Sequence, residues 1–150
     1  VRYLRPYSVY LLKAILSISK VTIYTDGAAR GNPGPAAIGV VIKDETGNVI
    51  ATVSRRLGTT TNNQAEYRAI VAALEKALTL GARHVVVKSD SELVVKQING
   101  LYKIKNAALR PLYVEAVRLI GSLDSFSISY IPRSQNAAAD ALANQALDGF

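Results

Sequence analysis

Residues 20–58 read KVTIYTDGAARGNPGPAAIGVVIKDETGNVIATVSRRLG, and this stretch decides the fold. Apolar runs at 20–26, 36–44 and 48–58 predict three strands. GNPGP and DETGN separate them, with Gly and Pro supplying the unusual dihedrals of tight connections. Strands joined so closely form a meander.

Downstream the period changes. Tyr67, Ile70, Val71, Leu74 and Leu78 recur at helical spacing, which predicts a helix over about 63–80 ended by Gly81. VVV at 85–87 reads as a buried strand. Helices follow at about 91–98 and 108–121. The segment 125–131, containing FSISYI, alternates and reads as a half-buried strand. A last helix is expected over about 135–147. The order βββαβααβα defines an α/β fold: a five-stranded mixed sheet with helices on both faces.

Upstream, residues 1–19 differ in kind. VRYLRPYSVYLLKAILSIS holds no acid and carries Arg2, Arg5 and Lys13. Its apolar run is short and broken by Lys13, so it does not span a membrane. Basic, acid-poor composition is shared with targeting segments. The expectation is an N-terminal extension, an appended start or a loosely docked helix from about Tyr7 to Ile18. The domain proper is then 20–150, in a cytoplasmic, monomeric protein with no membrane partner.

Composition narrows the chemistry. The chain has 150 residues, 49% hydrophobic and 19% charged, enough for one folded core. It has no Cys, which removes disulfides, thiol nucleophiles and thiolate zinc sites. Its one His, His84, excludes multi-histidine metal sites. Oxygen ligands remain, and these suit hard cations. The formal charge is +7, which fits a polyanionic partner.

Against that basic background, four acids stand where one element hands over to the next. They are Asp26 in IYTDG, Glu66 in TTNNQAEY, Asp90 in VVKSDSE and Asp140 in SQNAAADALA. Acids at strand ends and helix starts converge on one sheet edge, where they repel unless cations sit between them. Each also has a plain structural reading. Asp26-Gly27 is a common turn pair. Asn63-x-x-Glu66 has the spacing of a capping box. Asp90 could cap the helix beginning at Ser91, and Asp140 gains from a helix dipole.

Taken together, YTDGAARGNPGP, TTTNNQAEYRAIVAALE, KSDSELVVKQING and IPRSQNAAADALANQAL resemble the type 1 ribonuclease H family, from about Lys20 to Leu147. The resemblance implies a ribonuclease H-like fold. It also implies endonucleolytic hydrolysis of the RNA strand of RNA–DNA hybrids, with two Mg²⁺ ions for which Mn²⁺ substitutes. Products would carry 5′-phosphate and 3′-hydroxyl ends. Carried over by position, Asp26, Glu66, Asp90 and Asp140 form the metal-binding quartet. Asp26 would bridge the ions, with Glu66 and Asp90 on the side of the attacking water.

The same resemblance assigns substrate contacts. Gly27, Asn32, Asn62, Asn63 and Gln64 would face the hybrid's minor groove, where 2′-hydroxyls distinguish RNA from DNA. Lys103, Lys105 and Arg110 would hold DNA-strand phosphates. Arg133 and Asn136 lie in a loop where many members carry a mobile His and this chain has none. Arg133 is the nearest substitute, as a phosphate ligand rather than a proton shuttle. The longer basic protrusion of some members is missing, as is any Trp. Double-stranded RNA is a further candidate substrate. Two other classes fit less well: a hybrid-binding module that does not cut, which has no need of clustered acids, and a DNA-directed nuclease, against which the NNxAE and GNPG segments argue.

Overall fold

A computed structural model of the protein describes residues 18–149. The meander forms as expected. β1 (Lys20–Ala29) pairs antiparallel with β2 (Gly34–Lys43), and β2 pairs antiparallel with β3 (Val49–Thr60). Helix α1 (Asn62–Thr79) then crosses one face of the sheet. β4 (His84–Ser89) returns parallel to β1. Short helices α2 (Glu92–Ile98) and α3 (Arg110–Ile120) lead to β5 (Ser125–Tyr130), which is parallel to β4. A 3₁₀ turn at Arg133–Gln135 precedes the last helix, α4 (Ala137–Leu147). The strand order is β3-β2-β1-β4-β5.

Several boundaries move, each for a local reason. β1 runs on to Ala29 and β2 starts at Gly34, so Asp26 lies inside a strand rather than at its end. The hairpin is closed at Arg30, whose N–H donates to the Pro35 carbonyl at 2.8 Å, and Gly31 takes a positive φ of 102°. The last helix begins at Ala137, not 135, because Arg133–Gln135 winds more tightly. The helix expected from Tyr7 lies outside the described residues apart from Ile18, which packs against the core.

α1 buries Tyr67, Ile70, Ala73 and Leu74 against Val21, Ile23, Val40 and Ile42 of the sheet. Truncating a fully buried side chain such as Leu74 to Ala costs about 2–5 kcal/mol. Two glycines bring helices down to backbone contact. A Cβ on Gly27 would lie 2.2 Å from the Ala65 carbonyl carbon of α1. A Cβ on Gly39 would lie 2.0 Å from the Ala139 carbonyl oxygen of α4. Gly39 pairs with Asp26, and Gly27 pairs with Ile38. Neighbours along a strand face opposite ways, so α1 and α4 clasp β1 and β2 from opposite sides.

Candidate active site

The register of the parallel strands builds the site. Thr25 pairs with Ser89, the last pair between β1 and β4. The next residues, Asp26 and Asp90, therefore leave the pairing side by side. Divergence of strands at their carboxyl ends is where α/β sheets open ligand crevices. Glu66 reaches in from α1, and its carboxylate accepts the Gly27 N–H. Oxygens of Asp26, Glu66 and Asp90 all lie within 4.8 Å of one another. Asp140, in the first turn of α4, lines the same cleft of about 500 Å³.

The structural alternatives for two of these acids are filled by other residues. The capping box of α1 is Thr61 with Gln64: the Thr61 side chain accepts from the Gln64 N–H, and the Gln64 side chain accepts from the Thr61 N–H. Ser91, not Asp90, caps α2, accepting from the Val94 N–H at 3.4 Å. Glu66 and Asp90 are thus free of capping duty.

Electrostatics make the cluster costly on its own. Asp26 is pushed from 3.8 up to about 7, first by burial, then by the charge of Asp90 and by Asp140. Glu66 is raised well above the carboxylate range, again by burial first and then by the charge of Asp26; the Gly27 N–H pulls the other way. Three buried or half-buried carboxylates this close cannot all ionise without a compensating charge. The donor set is all oxygen, hard and negative, and it fits a divalent cation such as Mg²⁺.

The remaining residues singled out in the sequence fall in different places. Asn62, Asn63, Gly27 and Arg133 line the cleft with the acids. Asn32 and Asn62 brace its lip: Asn62 Oδ1 accepts the Ala29 N–H at 3.1 Å, and Asn32 Oδ1 accepts the Asn62 N–H at 3.0 Å. Lys103 and Lys105 line a neighbouring groove of about 560 Å³ with Tyr102 and Asn106, and Asn63 belongs to both. Arg110 donates to the Ile104 carbonyl at 3.1 Å, which holds the connection before α3 in place.

Two expected substrate contacts are placed otherwise. Gln64 spends its amide oxygen on the capping box and on the Thr60 hydroxyl. Asn136 is 1% exposed and turned into the protein, where a substrate does not reach it. His84 sits at the opposite end of β4 from the acids, with Nδ1 2.7 Å from the Ser125 hydroxyl. Arg30 and Asn144, passed over in the sequence, also line the cleft. Arg30 pairs with Asp148 at 2.7 Å and donates to Asn144 Oδ1 at 3.3 Å. Its position right after TDGAA, one residue past the strand, was the available signal.

Clustered acids at the open end of a β3-β2-β1-β4-β5 sheet, clasped by helices on both faces, define a ribonuclease H-like protein. Comparison agrees. A family model described as reverse transcriptase-like matches residues 24–146. Ribonuclease HI of Halobacterium salinarum is 46% identical over 129 residues, 86% of this chain and 65% of that protein. The chain thus spans about two thirds of the length of that curated relative, and 36% of a bifunctional protein of Mycobacterium tuberculosis that it matches at 43% identity. Among solved structures, RNase H1 of Halobacterium salinarum superimposes with a TM-score of 0.85 at 45% identity, covering 87% of this chain and 99% of that one. LC11-RNase H1 in complex with RNA/DNA hybrid gives 0.83 at 45% identity, covering 86% and 97%. The chain belongs to the ribonuclease HI family.

Proposed function

We propose that the protein is an endoribonuclease that hydrolyses the RNA strand of RNA–DNA hybrids and leaves 5′-phosphate and 3′-hydroxyl ends. The observation that carries this reading is the convergence of Asp26, Glu66 and Asp90 within 4.8 Å, in the cleft that Asp140 also lines. Two Mg²⁺ ions, replaceable by Mn²⁺, would be held by this quartet. When bound, such ions supply Lewis-acid charge at the attacking water and at the leaving oxygen of the phosphodiester.

The chain's own residues do the rest. The buried Asp26 is fixed in direction by its strand, and Glu66 by the Gly27 N–H. Both are therefore oriented before substrate arrives, which spares reorganisation during the reaction. The Asn62–Asn63 lip offers side-chain amides to 2′-hydroxyls. Arg133 offers a permanent positive charge to a phosphate at the cleft edge. Lys103 and Lys105, in the groove that continues from Asn63, receive the phosphates of the DNA strand. That LC11-RNase H1, at 45% identity, is solved with an RNA/DNA hybrid supports the same substrate here. No helix among the described residues is long and apolar enough to cross a membrane, and a monomer acting in the cytoplasm fits this reading.

The test uses one labelled sequence prepared as hybrid, RNA duplex and DNA duplex, with and without Mg²⁺. The hybrid should be cut in its RNA strand only, and the DNA duplex not at all. Cutting of the RNA duplex would widen the substrate class. Asp26→Asn should abolish cleavage and leave the fold intact; near-normal turnover in that variant would overturn the assignment.

A further inference from the structure

Asn136 occupies the N-cap of α4, yet its side chain makes no capping hydrogen bond. An N-cap Asn ordinarily turns its carbonyl oxygen onto its own helix, an interaction that stabilises the helix start. Here the side chain turns the other way, into the protein. Nδ2 donates to the Thr25 carbonyl at 2.9 Å and to Asp90 Oδ2 at 3.3 Å. Its two hydrogens are both spent. Oδ1 is buried and has no partner. Flipping the amide would set Oδ1 against a carbonyl and a carboxylate, acceptor against acceptor, so the partners fix the orientation. A forfeited cap and an unpaired buried oxygen are both destabilising. What the arrangement secures is the position of three acids. Thr25 precedes Asp26, Asp90 is held directly, and the Asn136 carbonyl accepts the Asp140 N–H at 3.1 Å.

We propose that Asn136 is a positioning residue: its amide fixes the Asp90 carboxylate for cation binding and keys the Asp140 helix to β1. It does not touch substrate. This rests on the nuclease reading of the quartet. A hydrogen bond to a ligating carboxylate sets both its direction and its basicity, and removing such partners typically costs about 10- to 100-fold in metal affinity or activity.

The first measurement needs no substitution. The Asn136 side-chain amide protons should be protected from solvent exchange in the parent protein, and their resonances should move during a Mg²⁺ titration with the midpoint found by calorimetry. Two variants follow. Asn136→Ala removes the donor and the orphan oxygen together. Asn136→Asp keeps the shape but sets a carboxylate against Asp90. Both should lower Mg²⁺ affinity and kcat about 10- to 100-fold, with KM for hybrid unchanged. In a double-mutant cycle, Asn136→Ala should lose most of its effect on Mg²⁺ affinity once Asp90→Asn is present. Resonances indifferent to Mg²⁺, or a folded variant with parental Mg²⁺ affinity and kcat, would overturn the positioning role while leaving the nuclease reading intact. A parent protein that neither binds Mg²⁺ nor cuts hybrid would overturn both.

Discussion

The backbone N–H of Gly27 donates to the carboxylate of Glu66, locking the first strand to the first helix beside the acid cluster. That bond requires α1 to lie on β1 with no side chain between them. Gly27→Ala would place a Cβ 2.4 Å from both the Ala65 oxygen and the Glu66 nitrogen. These are backbone atoms and cannot swing aside. The substitution is expected to cost more than ordinary overpacking, about 1–3 kcal/mol, and to weaken Mg²⁺ binding by shifting Glu66. Denaturant unfolding beside a Mg²⁺ titration checks both.

Without divalent cations, stability should fall as pH rises. Asp26 titrates at 3.8 when unfolded and at about 7 in the fold. Between those values the folded state binds more protons than the unfolded one, so unfolding free energy decreases with pH. The stabilisation is complete below the unfolded value and lost as pH passes about 7. Thermal unfolding in chelator should show this slope, and Asp26→Asn should flatten it. Mg²⁺ should release protons on binding near neutral pH, measurable by calorimetry in buffers of different ionisation enthalpy.

Arg133 lines the acid cleft from the turn that precedes α4. If its guanidinium holds a phosphate, Arg133→Ala forfeits a charged hydrogen bond of about 1.5–3 kcal/mol, or about 10- to 100-fold in kcat. KM should change less. Arg133→Lys should recover part of the loss, since the charge returns without the planar fork. Unchanged kinetics in the Ala variant would return Arg133 to the solvated surface.

The edge of the folded unit can be located by truncation. The Ser19 carbonyl accepts from the Arg83 N–H at 2.7 Å and the His84 N–H at 2.9 Å. Ile18 packs on the core. A chain starting at Ile18 keeps both hydrogen bonds and the packing of Ile18. One starting at Lys20 should lose about 0.5–1.5 kcal/mol for each of the two hydrogen bonds. Equal melting temperatures would place the boundary where composition alone puts it, between residues 19 and 20.

Most of the architecture was legible because it rests on periodicity. Tyr67, Ile70, Leu74 and Gly81 mark α1 as surely in the sequence as in the fold. The gathering of Asp26, Glu66 and Asp90 was legible from their places where one element hands over to the next, together with the family resemblance. What sequence could not give were directions. Asn63 and Glu66 have capping-box spacing, but Thr61 and Gln64 make the box, because the N-cap lies two residues earlier, at Thr61. Asn136 carries the polarity of a surface residue, and only the packing of α4 against β1 shows that it points inward. The end of β1 was misplaced because Gly27, Ala28 and Ala29 lack the bulk that marks a strand, and at Gly27 the close approach of α1 leaves no room for a side chain.

Gly27 and Gly39 have a consequence for how this protein tolerates change. At these two points the acid-bearing helices rest directly on main chain. Repacking the aliphatic interior, for instance at Leu74 or Val87, should therefore lower robustness to heat while leaving the spacing of the carboxylates untouched. Lineages of such a protein are free to exchange interior residues over long drift, whereas a single methyl group at either glycine would separate chemistry from scaffold at once.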